Sequence, residues 1–173
     1  MLLAALMILS CLAGCGSSAG NSGDKGSAPD QSDREDLVII LPNDFTTLDP
    51  QKLPSTLEIN FCANIFDTLV TVDENHQIQP NLAESWEVSP DGMSYTFHLK
   101  KGVKFHNGEE LKASDVVYTV ERFIVEEWML FCSFMIEGAE VVDDYTVQIN
   151  LKYPYASFLG ELDYMFIVNE KYM

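Results

Sequence analysis

Asn64 to Phe123 reads NIFDTLVTVDENHQIQPNLAESWEVSPDGMSYTFHLKKGVKFHNGEELKASDVVYTVERF, and its punctuation decides the fold. Met93–Leu99 alternates, with Tyr95, Phe97 and Leu99 on one face and Ser94, Thr96 and His98 on the other. That is the period of a half-buried strand. Ser89-Pro90-Asp91-Gly92 turns the chain just before it, so Trp86-Glu87-Val88 is extended as well. Lys100-Lys101-Gly102 turns the chain again and Val103–Phe105 extends. His106-Asn107-Gly108 makes another tight turn, because Asn-Gly tolerates positive φ. These pieces form a small antiparallel meander. Ser114 then reads as the N-cap of a helix with Asp115 in its first turn, and Val116, Val117, Val120, Phe123 and Ile124 are its buried face.

Working outward, the spacing of Ile59, Cys62, Ala63, Phe66 and Leu69 predicts a helix over Leu57–Leu69, with Glu58 at the positive end of its dipole. Thr71–Asp73 is a short strand, Asp73-Glu74-Asn75 a turn and Asn81–Ser85 one helical turn. Leu37–Leu41, an unbroken apolar run stopped by Pro42, reads as a strand buried on both faces. Asn43–Pro50 is then a loop leaving its C-terminal edge, where ligands of open α/β sheets gather. Downstream, Trp128–Phe134 is an aromatic cluster without a period. Ala139–Val142 and Tyr145–Leu151 form a hairpin around Asp143-Asp144, and Pro154 opens a helix over Tyr155–Leu162. Met165–Val168 is an apolar run placed to re-enter the first sheet. The order of elements is α+β with mixed sheets.

The chain has 173 residues, one domain's worth, and its 47% hydrophobic content is enough for a core. A formal charge of −17 repels phosphate backbones and excludes a nucleic-acid partner. The cysteines are Cys11, Cys15, Cys62 and Cys132, and no CxxC pair occurs. Cys62 and Cys132 lie in apolar surroundings, where a buried free thiol is the ordinary outcome. His76, His98 and His106 lack the spacing of a zinc site, and no P-loop, GxSxG or GxGxxG is present. The sequence therefore reads as neither an enzyme nor a holder of a metal or cofactor.

Met1–Leu12 is an uncharged apolar run of about a dozen residues, short for a membrane span of about twenty but suited to a signal peptide. Leu12-Ala13-Gly14-Cys15 resembles the lipobox of bacterial lipoproteins, which implies lipidation of Cys15 after removal of residues 1–14. Leaders of this kind open on a basic residue, and here no Lys or Arg precedes Lys25, so the expectation is that a few N-terminal residues are missing. Residues 15–36, rich in Gly, Ser and Asp, are expected to be a disordered tether holding the body of residues 37–173 off the membrane.

The LDP of Leu48–Pro50, then NIFDTLV from Asn64, then the run from Pro80 to Thr119, match in order and at consistent spacing from about Leu37 to the end. In these motifs the chain resembles the N-terminal part of an extracytoplasmic solute-binding protein of the oligopeptide, dipeptide and nickel-binding type, family 5. This is the receptor component of an ABC importer. The resemblance implies a two-lobed periplasmic-binding-protein fold of which this is the incomplete first lobe, with the second lobe and a return segment missing. It also implies a peptide or similar solute as ligand, delivered to ABC permease and ATPase subunits, with no useful affinity in the isolated fragment. By the same resemblance Leu53, Pro54, Ser55 and Thr56 fall on a loop meeting the ligand, and Trp128, Met129 and Phe131 on a second such stretch. For Trp128 and Phe131 burial in the lobe core or under the second lobe is an equal reading. Oligopeptide-binding relatives commonly carry an acidic residue where Pro54 stands. The rival readings are a surface lipoprotein that senses or docks without transport, and a nickel or haem receptor of the same fold.

Overall fold

Alternation along Ser94–Leu99 makes a strand that is buried on one face, and the rest of the chain is arranged around it. The computed structural model describes residues 40, 43–52, 55–125 and 133–173. In chain order it has helix α1 (Thr56–Cys62), strands β1 (Val70–Val72), β2 (Ile78–Pro80), β3 (Ala83–Val88) and β4 (Ser94–Leu99), and helix α2 (Ala113–Val125). Strands β5 (Ile136–Asp143) and β6 (Thr146–Leu151) follow, then a short helix α3 (Phe158–Glu161) running into a 3-10 turn at Leu162–Tyr164. The fold is α+β, as expected.

β1 and β2 form a hairpin of their own, while the other strands make one antiparallel sheet in the order β3-β4-β6-β5. The predicted meander and the predicted hairpin are therefore halves of a single sheet. Phe97 of β4 stands opposite Trp86 on one side and Val147 on the other. Tyr95, Phe97 and Leu99, with Val147, Ile149 and Leu151 of β6, are buried on the same face. α2 packs over β5 and β6 and buries Val116, Val120 and Phe123, spaced i, i+4, i+7 along one stripe. α3 adds Phe158, whose ring lies 4.7 Å from that of Tyr95. The β3–β4 turn is closed by Gly92 N donating to Ser89 O at 2.9 Å and Met93 N to Asp91 Oδ1 at 3.1 Å. Gly92 takes φ +71°, a conformation that strains any side chain.

Several sequence expectations are corrected. α1 stops at Cys62 instead of reaching Leu69. Asn64 N and Ile65 N donate three residues back, to Phe61 O and Cys62 O, and Leu69 O instead accepts from Ala83 N at 2.9 Å. Tertiary pairing outweighs a weak stripe there. The same pairing makes Ala83–Ser85 the start of β3, not a helical turn. Ser114 does not cap α2, which begins at Ala113. Asp115 Oδ2, inside the first turn, reaches back to accept from Lys112 N at 3.0 Å, as the third helical residue of a capping box does. The last helix is reduced to α3 and its 3-10 turn. Met165–Val168 is buried but forms no strand: Ile167 N donates to Asp67 O at 2.9 Å and Val168 N to Thr119 Oγ1 at 3.1 Å. Val103–Phe105 contributes a single bridge, Lys104 to Glu110. Of the predicted strand over residues 37–41, Ile40 is described, and it is exposed and outside any strand. Residues 37–39 and 41, and most of the aromatic cluster at 128–134, lie outside the described residues.

Phe97 is fully buried on the central strand β4, between Trp86 of β3 and Val147 of β6. Phe97→Ala is expected to lower unfolding free energy by about 3–5 kcal/mol. Urea denaturation of the two proteins, followed by tryptophan fluorescence, measures it. A change below about 1 kcal/mol contradicts this core.

Candidate functional site

Of the residues predicted to meet a ligand, Ser55 and Thr56 are described. Cys15, Leu53, Pro54, Trp128, Met129 and Phe131 lie outside the described residues, as does Cys132. Ser55 is the N-cap of α1: its backbone is extended and its Oγ accepts from Leu57 N at 3.3 Å. The same hydroxyl donates to Glu58 Oε2. Ser55's side chain is thus taken up by the helix start. Thr56 is the first residue of α1 and is exposed.

Glu58 is a carboxylate that is 3% exposed, and it is satisfied from both sides. Its Oε1 accepts from Thr46 N at 3.3 Å and Thr46 Oγ1 at 3.1 Å, opposite the Ser55 contact. The Ser55 hydroxyl first, and Thr46 after it, hold the Glu58 carboxyl below its usual range. Phe45 and Phe61 stack tilted across the same junction, with centroids 4.5 Å apart.

The stretch from Thr47 to Gln51 is folded on its own polar groups. Asp49 N donates to Thr47 Oγ1 at 3.0 Å and Gln51 N to Asp49 Oδ1 at 3.1 Å. Both loop side chains then reach α2. Arg122, in the helix's last turn, donates from Nη1 to Asp49 Oδ1 at 2.8 Å and from Nη2 to Asp49 Oδ2, a two-toothed ion pair. Nη1 also donates to Gln51 Oε1 at 2.5 Å, and Gln51 Nε2 donates to Thr119 O at 2.7 Å. Gln51 is 1% exposed, so each polar atom of its amide finds a partner inside the fold. The Arg122 guanidinium is the main reason the Asp49 carboxyl titrates below its ordinary value of 3.8, burial opposing it.

Apart from this loop, an apolar cavity of about 370 Å³ opens between Phe66, Leu82, Phe105, Leu111, Ile167 and Tyr172. His106, in the tight turn, stands at its lining. His76 is exposed at φ +59° in the β1–β2 turn, and His98 Nδ1 lies 3.4 Å from Thr146 Oγ1 on the sheet. The three rings sit on separate elements. Among the described residues no cluster of His, Cys, Asp or Glu could hold a metal ion, and no helix is long and apolar enough to cross a membrane. Cys62 is a fully buried free thiol whose pKa is raised by burial.

Residues 77–172, which run from the β1–β2 turn to the lip of the apolar cavity, match the family model of bacterial extracellular solute-binding proteins, family 5. The chain belongs to that family. Members bind peptides or small solutes and deliver them to ABC permeases, and they are not enzymes. The chain is 34% identical over 133 residues to the glutathione-binding protein GsiB of Pectobacterium atrosepticum, covering 74% of this chain and 26% of that protein. It therefore spans about a quarter of the length of the curated relatives it matches. Among solved structures, the periplasmic binding protein DppA from Helicobacter pylori in complex with the peptide STSA superposes with a TM-score of 0.65. Its identity is 33%, over 75% of this chain and 30% of that one. NikA from Brucella suis in complex with Fe(III)-EDTA gives 0.65 at 34% identity, over 72% and 26%. The architecture is thus part of a two-lobed periplasmic-binding-protein fold.

Asp49, Gln51, Glu58 and Arg122 were not singled out as site residues by sequence reasoning. Asp49 sits inside LDP and Arg122 on the helical pattern, but no rule of spacing joins two residues 73 positions apart.

Two outcomes follow from the titrations. Because the Asp49 carboxyl is lowered, the stabilisation it gives is present above the ordinary range and is lost as pH falls through the lowered value. A carbon-13 titration of its carboxyl should therefore give a midpoint below 3.8, and a midpoint above it refutes the ion pair. Iodoacetamide should label Cys62 slowly in native protein and rapidly in urea, read by mass spectrometry; equal rates contradict its burial.

Proposed function

We propose that this chain is the solute-receiving part of a lipid-anchored receptor that captures peptides, or similar small solutes, outside the membrane and hands them to an ABC permease. The family match over residues 77–172 carries the reading. The solute is held between this lobe and a second one of the complete receptor, and closure of the two presents it to the permease. ATP is used by the partner's ATPase and not by this chain. Ser55 and Thr56, with Leu53, Pro54, Trp128, Met129 and Phe131, are the proposed solute contacts.

Residues 1–14 are the proposed leader, Cys15 the lipidated residue and 16–36 the tether, on the strength of the Leu12-Ala13-Gly14-Cys15 sequence. Thioether attachment of a lipid there places the receptor at the membrane surface without a spanning helix. A second reading, a receptor for a chelated metal, is favoured by the likeness to NikA and to NikZ from Campylobacter jejuni in complex with Ni(L-His), the latter at 27% identity.

Uptake by intact cells separates these readings. Deleting the gene should reduce uptake of a radiolabelled dipeptide or of glutathione, whereas loss of nickel–histidine uptake favours the second reading. Unchanged uptake of all these probes overturns solute import. For the anchor, Cys15→Ser should move the protein from the membrane pellet to the soluble fraction, and retention in the pellet refutes lipidation.

A further inference from the structure

The apolar cavity of about 370 Å³ has room for a small organic ring. Pockets for such ligands begin at about 300 Å³, and benzene enters an engineered cavity of about 150 Å³. Phe66, Leu82, Phe105, Leu111 and Ile167 give it hydrocarbon walls. Asn169 lines it as well and is 8% exposed. Its Nδ2 donates to Glu109 Oε2 at 3.1 Å and to Asp115 Oδ1 at 3.4 Å. Turning the amide over would set its oxygen against two carboxylates, so Nδ2 must face them. Neither Glu109 nor Asp115 lines the cavity, which leaves Oδ1 as the amide atom on the cavity side. Among the described residues, that oxygen is the one buried side-chain polar atom without a hydrogen-bond partner. A buried acceptor left unpaired costs free energy that an incoming donor recovers. Water fits poorly, because a buried water needs two to four polar partners and the five hydrocarbon side chains offer none. The lining also includes Tyr172 and Met173, 79% and 50% exposed, so part of the wall is free to shift as a guest enters.

We infer that this cavity is a binding site for a small aromatic molecule carrying a single O–H or N–H donor. The ring packs on Phe66, Leu82, Phe105, Leu111 and Ile167, and the donor goes to Asn169 Oδ1. Burial of the ring supplies the affinity. The donor supplies the choice, since a hydrocarbon of the same shape fills the space but leaves the oxygen unpaired. A second polar group on the ring would itself be buried against hydrocarbon, which is why one donor is the limit. Neither Ser55 nor Thr56 lines the cavity, and the inference does not rest on the import reading.

Indole and indene test it, being bicyclic rings of nearly one shape of which only indole carries an N–H. Each is titrated into the full nitrogen-15-labelled chain and followed by two-dimensional NMR. Indole is expected to shift the backbone amides of Leu111 and Ile167 and the side-chain amide of Asn169, and to saturate them. Indene should act on the same backbone amides with at least about tenfold weaker affinity, the scale of one hydrogen bond to an acceptor already stripped of water. Asn169→Ala should bring indole down to the affinity of indene. Equal affinity of the two rings for the unaltered chain overturns the inference. So does indole that shifts nothing up to its solubility limit, or that shifts only residues elsewhere. A folded Asn169→Ala protein that keeps the preference for indole overturns it too. That variant also loses the Nδ2 ties to Glu109 and Asp115, so its own spectrum checks its fold; should it unfold, the two rings on the unaltered chain decide.

Discussion

Burial of one stripe of α2 against β5 and β6 is the contact on which the other placements depend. Val116, Val120 and Phe123 go into the core, and this turns a line of polar residues toward the rest of the chain. Asp115, Thr119 and Arg122 lie four and three residues apart, hence on one face. Between them they receive two segments. Asp115 Oδ1 accepts from Glu170 N at 3.0 Å, Thr119 accepts from Gln51 through its carbonyl and from Val168 N through its hydroxyl, and Arg122 takes Asp49. One helix thus serves as a rail for both the early loop and the late segment. Thr119 is fully buried, and its hydroxyl also donates to Asp115 O at 2.7 Å, so its polar groups are matched within the fold.

The sheet was legible because strands announce themselves by alternation. Tyr95, Phe97 and Leu99 could be assigned to the buried face from their spacing alone, and the Asp-Gly and Asn-Gly turns marked where the chain reverses. The helix ends were not legible. Whether Phe66 continues α1 or leaves it depends on Leu69 O finding Ala83 N, a partner fourteen residues on that local spacing does not name. The same holds for the start of α2, since an Asp115 carboxylate reaching back to Lys112 N and a serine opening the helix give nearly the same pattern. The loop that carries LDP was legible from Asn43 to Pro50. Its fastening was not, because ion pairs between distant segments leave no periodic trace.

Ser55 illustrates how a residue type can be right for two purposes at once. Serine before an apolar helical run is a solute-facing polar group by one argument and an N-cap by another. With its hydroxyl shared between Leu57 N and Glu58, the cap takes the side chain even though Ser55, like Thr56, is exposed.

Among the described residues, the order β3-β4-β6-β5 leaves β3 and β5 with one unpaired edge each. Along those margins the outward positions include Glu84 and Glu87 on β3, and Glu137, Glu140 and Asp143 on β5. Two copies meeting rim to rim would set carboxylates against carboxylates, which works against fibrous stacking even beside the exposed Val141 and Val142. Part of the chain's surplus of negative charge thereby guards the sheet against its own kind.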